Sequence, residues 1–227
     1  VFLHGHADSE EQSLLDRPDL GHAPSAVLAV CEALAVAGIG IDDVAALDLY
    51  SCFPVPVFNV CDGMGIAPDD PRGLTLTGGL PFFGGAGNNY SMHGVAEMVA
   101  KMRSTPGQFG LVGANGGIMS KYSVGVYSTT PADWRPDGSA RLQAQVAAAP
   151  TVAVTEHADG PGTVETYTVR RDGGRPTGII IGRLDADNSR FLATTEDHDL
   201  IALLTDGDPL GKSVRVRSFD YGNRCSL

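Results

Sequence analysis

The sequence has little positive charge: 16 lysines and arginines stand against 27 aspartates and glutamates, a formal net charge of −11. That field repels polyphosphate backbones and argues against a nucleic-acid partner. Cysteine is scarce as well. Cys31, Cys52, Cys61 and Cys225 form no C-x-x-C pair, which excludes a zinc knuckle and a dense disulfide framework, so a reducing, cytoplasmic setting is expected. No run reaches the roughly 18 consecutive apolar residues of a membrane span, and no basic stretch precedes an apolar run with a cleavage site, so no membrane partner is expected. A nucleotide phosphate loop is missing too, because no Gly-Lys-Ser/Thr follows the glycine-rich stretch. What is present is 43% hydrophobic residues, enough for real cores, with 29 glycines and 14 prolines that point to many tight turns in one large domain or two smaller ones. The opening Val1-Phe2-Leu3-His4 reads like the middle of a strand, so a piece of a longer protein is expected.

Along the chain, residues 1–6 read as a strand. Pro24 and Ser25 open a helix over 26–37, with Val27, Val30, Cys31 and Leu34 on one apolar face and Gly38 and Gly40 as its stop. Residues 46–50 read as a second strand and 57–64 as a second helix. Residues 74–94 hold the least ordinary stretch, rich in glycines that let the backbone approach a ligand closely. It leads into a helix over 95–103, whose amino end is a pole for an anionic or oxyanionic group. Strands over 109–114 and 123–128 flank Asn115-Gly116-Gly117.

The rhythm changes after Thr130. Residues 139–148 read as one short helix in a connector. Beyond Pro150 come short β-branched runs at 163–170, 177–184, 190–195 and 212–219, separated by Gly, Asp or Asn, the pattern of a small barrel. Residues 1–150 carry a net charge of −8 and residues 151–227 one of −3. Tyr167, Phe191, Phe219 and Tyr221 are scattered among acids, with no basic and aromatic stripe that would mark a nucleic-acid barrel. A structural or docking domain is the expectation.

The order of Ala46-Leu47-Asp48-Leu49-Tyr50-Ser51-Cys52-Phe53, the loop from Gly87 to Gly94 and Asn115-Gly116-Gly117 resembles the carboxy-terminal half of a thiolase. The alanine-rich, acidic style and the extra β domain are similar to bacterial thiolase-like proteins of the acetyl-CoA acetyltransferase family, including the sterol-carrier type. The resemblance implies an α/β thiolase-fold half, a mixed five-stranded sheet with helices, over 1–130. A connector over 131–150 and an additional OB-like all-β barrel over 151–227 would follow. It also implies acyl transfer in lipid metabolism, with a coenzyme A thioester as substrate and no other cofactor. The partners implied are acyl-CoA, the amino-terminal half that carries the family's nucleophilic cysteine, and a protein bound through the β domain. The family's Asn-Glu-Ala-Phe loop, His-Asp-Cys-Phe in the sterol-carrier type, is here Tyr50-Ser51-Cys52-Phe53, so Cys52 matches that type's acid/base cysteine. The eight-residue Gly-His-Pro-x-Gly-x-Ser-Gly loop is Gly87 to Gly94, and Asn88 stands where the catalytic histidine would be. An amide there can donate a hydrogen bond but cannot carry a proton, which implies weak or altered turnover. Asn115-Gly116-Gly117 occupies the Cys-x-Gly position without its cysteine, as in the sterol-carrier type.

The candidate catalytic residues are therefore Cys52, Asn88 and His93, the last as a replacement imidazole on the same loop. Tyr50, Phe53, Gly87, Tyr90, Asn115 and Gly117 are the candidate substrate-binding residues. Plainer readings stand beside them: Cys52 as a small buried hydrophobe, His93 as a packing or surface residue, Tyr50 and Tyr90 as core aromatics. Cys31 and Cys61 read as core packing. His4 and His6 share one side of a strand, but no third ligand follows at a recognisable spacing, so no metal is expected. A non-catalytic acyl-CoA-binding scaffold or a partner subunit in lipid or sterol degradation is the alternative to an acyltransferase.

Overall fold

The computed structural model describes residues 1–85 and 87–227. They form two compact units, Val1–Leu14 with Asp19–Ala149, and Leu15–Pro18 with Pro150–Leu227.

The first unit is a three-layer α/β sandwich. Its sheet has the order β1-β4-β3-β2, built from β1 (Phe2–Glu10), β2 (Val44–Asp48), β3 (Phe109–Gly116) and β4 (Lys121–Ser128). β2 and β3 run parallel, while β4 is antiparallel to both of its neighbours. Strand alternation divides the core in two. Leu47, Leu111, Val124 and Val126 face one layer, with α1 (Pro24–Ala37), α2 (Pro54–Met64) and α5 (Ser139–Ala147). Ala46 and Val112 face the other, against Met98 and Met102 of α4 (Tyr90–Ser104). Proline opens α1 and α2 at their first turns, where its missing N–H costs nothing. Gly38 and Gly65 close them in the left-handed conformation.

Four strands are found among the described residues where five were expected. The described residues between α2 and α4 add none. They fold as loop and the short helix α3 (Leu80–Phe83), with Gly78, Gly79 and Gly84 at positive φ. α4 begins five residues earlier than its apolar pattern suggests, at Tyr90. Cys61 is buried as expected, but Cys31 is exposed, its thiol 3.7 Å from the Met64 sulfur. The buried face of α1 is instead Ala26, Ala29, Val30, Ala33 and Leu34, one step round the helix. α5, within the stretch read as a connector, lays Leu142 and Val146 into the core of this unit.

The second unit is a closed barrel of order β5-β6-β7-β9-β8. Its strands are β5 (Gly160–Arg170), β6 (Thr177–Leu184), β7 (Arg190–Thr195), β8 (Ser213–Phe219) and β9 (Gly222–Ser226), with α6 (His198–Asp206) between β7 and β8. β7 and β9 are parallel and the other pairs antiparallel. Closure leaves no free sheet edge. Ile180, Phe191, Val216 and Leu200 fill the interior. Arg190 is fully buried, and its guanidinium donates to both Glu165 oxygens (2.6 and 2.7 Å) and to the carbonyls of Leu15 (2.7 Å) and Arg17 (2.5 Å). That one side chain ties the 15–18 segment to the barrel. No helix among the described residues is long and apolar enough to cross a membrane, and no cluster of metal-ligating side chains occurs among them.

Candidate functional site

β2 ends at Asp48, and the chain turns through Tyr50, Ser51 and Cys52 before Pro54 starts α2. This turn meets the glycine-rich loop. The backbone N–H of Leu80 donates to Ser51 Oγ at 2.9 Å, which fixes the start of α3 against residue 51. A groove of about 550 Å³ lies between them, walled by Ser51, Cys52, Phe53, Phe58, Leu74 and Phe82 among others. Its lining is predominantly apolar, and Phe53 and Phe82 are 69% and 88% exposed. Cys52 is half-buried in that wall and carries a free thiol.

Behind the groove a chain of hydroxyls leads to a buried carboxylate. Asp48 is fully buried, and its Oδ1 accepts the N–H of Leu76 (2.9 Å), the N–H of Thr77 (3.1 Å) and the Thr77 hydroxyl (3.1 Å). Thr77 spends its proton there, so the buried Tyr90 hydroxyl donates to Thr77 Oγ1 at 2.5 Å, and Ser51 in turn donates to Tyr90 at 3.5 Å. Asp48 Oδ2 has no hydrogen-bond partner among the described residues. It faces α4 at Gly94, where a Cβ would lie 2.5 Å away, so only glycine fits at 94. Burial pushes the Asp48 carboxyl above its ordinary value, with Glu97 adding to it, against the opposing hydrogen bonds from Thr77 and Leu76. Burial likewise raises the Tyr50 phenol, with Cys52 and Tyr90 contributing.

The structure thus brings together part of the residues singled out from sequence. Tyr50 and Tyr90 meet edge to face with ring centroids 5.4 Å apart, and Cys52 and Phe53 share one groove. Gly87 and Asn88 are exposed in the loop before α4. His93 lies in the first turn of α4 with its ring 5.5 Å from that of Phe83. Asn115 is the penultimate residue of β3, opposite Tyr122, and Gly117 makes the following turn at φ 62°. Among the described residues, Asn88, His93, Asn115 and Gly117 do not line the groove. Sequence reasoning passed over Asp48, Ser51 and Thr77. The signal was an aspartate inside the apolar run Ala45-Ala46-Leu47-Asp48-Leu49, since a carboxylate on a buried strand must find donors. His4 and His6 turn to other partners, the Thr130 carbonyl at 2.8 Å and the Asp137 carboxylate at 3.2 Å.

Residues 141–220 match the model of the additional C-terminal domain of thiolase-like proteins of type 1. Among solved structures, a monomeric SCP2-thiolase-like protein type 1 from Mycobacterium smegmatis is 67% identical over 100% of this chain, with a TM-score of 0.95. The chain is thus similar over its full length to an SCP2-thiolase-like protein. It spans 50% of the length of that mycobacterial relative. Human mitochondrial 3-ketoacyl-CoA thiolase, alone and in complex with CoA, matches over 56% of this chain at 20% and 21% identity, with a TM-score of 0.40 in both cases and 30% of its own chain covered. No curated protein matches the chain. The match to the thiolase-like additional domain starts within α5 and ends before β9, so it covers most of the barrel.

Proposed function

We propose that this thiolase-like chain forms one wall of an acyl-CoA thioester site, with acyl transfer or thiolytic C–C cleavage of the acetyl-CoA acetyltransferase type that is weak or altered. The observation that carries this reading is the half-buried Cys52 thiol in the wall of an apolar groove shaped by the loop on which Asn88 sits. An apolar groove suits an acyl chain, and a thiol at its wall suits proton transfer at the substrate α-carbon. Asn88 supplies an amide where an imidazole would serve as both oxyanion donor and proton carrier, so turnover falls. The remaining half of such a site corresponds to the part of the mycobacterial relative's length that this chain does not span. A cytoplasmic setting fits the four free cysteines. A non-catalytic acyl-CoA-binding scaffold keeps the groove without the reaction, and the exposed, loop-borne position of Asn88 favours it as the second reading.

The barrel is read as OB-like. A five-stranded closure with parallel third and fifth strands and a helix between the third and fourth supports this. Its role is taken as protein docking rather than nucleic-acid binding, given its net charge of −3.

Calorimetry with acetyl-CoA and a cleavage assay with acetoacetyl-CoA, both on the full-length protein, test the reading. Binding of the thioester that is lost on alkylating Cys52 supports it. Undiminished binding after alkylation removes Cys52 from the site, and binding without turnover selects the scaffold.

A further inference from the structure

Arg215, Arg217 and Arg224 of the barrel have no carboxylate within ion-pair distance among the described residues, in a chain with 27 acids. Arg215 and Arg217 are exposed on β8, two residues apart and so on one face, while Val214 and Val216 point into the core. Arg217 lies directly opposite Arg224 of β9 in the antiparallel register. Like charges in that position destabilise a ladder. The other ion-paired arginines of this unit are answered, Arg183 and Arg190 by Glu165 and Arg170 by Asp172. Beside the three lies an exposed aromatic pair. The rings of Phe219 and Tyr221 stack at 5.4 Å with an interplanar angle of 11°, and the Arg224 guanidinium sits 5.0 Å from the Tyr221 ring centre. Leu192 on β7 is also exposed, two residues before Thr194, which pairs with Arg224. The basic and aromatic stripe that the linear sequence does not display is assembled here by the β8–β9 hairpin.

We propose that the outer face of this hairpin docks an acidic segment of a partner protein. Its carboxylates bridge Arg217 and Arg224, and its apolar side chains lie on Phe219, Tyr221 and Leu192. The proposal rests on the docking reading of the barrel and names the face. Charge complementarity decides the occupant: a carboxylate set between two opposed guanidinium groups turns a repulsion into two charge-assisted, bidentate contacts. Arginine with tyrosine is also the residue pair enriched where protein interfaces concentrate their energy. A long polyanion is disfavoured by the field of a chain of net charge −11, in which the barrel unit itself is acidic at −3.

The test is fluorescence anisotropy on the full chain with a labelled peptide of three Glu-Gly-Leu-Glu repeats. A second peptide with Gln for every Glu and an oligothymidine are the comparison probes. We expect the glutamate peptide to bind and the glutamine peptide not to. The double variant Arg217→Thr with Arg224→Thr should weaken binding about tenfold or more, while Arg103→Thr on α4 leaves it unchanged. The double variant should also melt no lower than the native chain at low salt, because it removes a repulsion, and this separates lost binding from lost fold. Equal binding by the double variant overturns the face and leaves the docking reading standing. Equal binding of both peptides overturns the carboxylate contact. No binding of either peptide, or oligothymidine binding more tightly and losing affinity in the double variant, overturns both the face and the docking reading.

Discussion

Replacing Arg190 by Ala tests what holds the second unit together. Its guanidinium is fully buried and donates to two backbone carbonyls and to both oxygens of Glu165. Truncation removes the Arg190 donor from the Leu15 and Arg17 carbonyls, each such lost contact costing up to about 1–3 kcal/mol. Glu165 keeps its second cation, since Arg183 reaches both its oxygens at 2.9 and 3.0 Å. The carboxylate is therefore not stranded, and the loss should fall within the about 3–5 kcal/mol typical of breaking one side of a buried pair. Arg183→Ala removes a partly exposed partner from the same carboxylate and should cost less than half as much. The only tryptophan, Trp134, lies in the first unit, so tryptophan fluorescence is a poor probe of the barrel. Amide hydrogen exchange at Ile180, inside the barrel, reads it directly. Exchange there should accelerate by roughly two to three and a half powers of ten in Arg190→Ala. A change under tenfold, or an equal effect of the two variants, would refute the assignment of Arg190 as the tie of the 15–18 segment.

The remaining expectations concern pH and the groove. Burial acts against the Glu165 charge, but Arg190 and Arg183 outweigh it and hold the carboxyl below its ordinary 4.5. Its stabilisation is therefore complete above that pH and is lost as pH falls through the lower folded value, so acid titration of Ile180 exchange should show protection declining only below about pH 4.5. Asp48 has the opposite sign. Its folded value lies above 3.8, so its charge weakens the fold at neutral pH; Asp48→Asn should raise the melting temperature at pH 7, with the gain shrinking toward pH 4, and a gain that grows on acidification would contradict this. Gly94→Ala would push a methyl onto Asp48 Oδ2 and should lower the melting temperature by several degrees, whereas Ala96→Gly, at an exposed site of the same helix, should cost only the propensity difference of about 1 kcal/mol. In the full-length protein, Asn88→His should raise acetoacetyl-CoA cleavage about a hundredfold, the scale of one restored catalytic donor; no gain in a folded variant would assign the groove to binding alone.

Much of the architecture is written locally. β6 and β7 have the bounds their β-branched runs mark, and Pro24 and Gly38 bracket α1 through fixed φ at one end and a left-handed residue at the other. Asp172-Gly173-Gly174 supplies the hairpin turn before β6, with Gly173 at φ 66°. These features depend on neighbours a few residues apart, which is the range over which periodicity and turn chemistry carry information. The short β9 and α6 escaped that reading, because a five-residue strand in a closed barrel is held by its partners on either side more than by its own pattern. The exposed side of Cys31 was set by which neighbours of α1 the sheet and α5 cover, a fact of packing that a single helix wheel does not contain. The site divides the same way. That Cys52 follows a strand and precedes a helix is legible in the chain, but the link from Ser51 through Tyr90 and Thr77 to Asp48 joins residues 13 to 39 positions apart. The opposition of Arg217 and Arg224 likewise exists only through strand register. Hydrogen bonds and charge contacts of this kind act at about 3–5 Å in space and are indifferent to separation along the chain, so only the folded backbone decides which side chains they join.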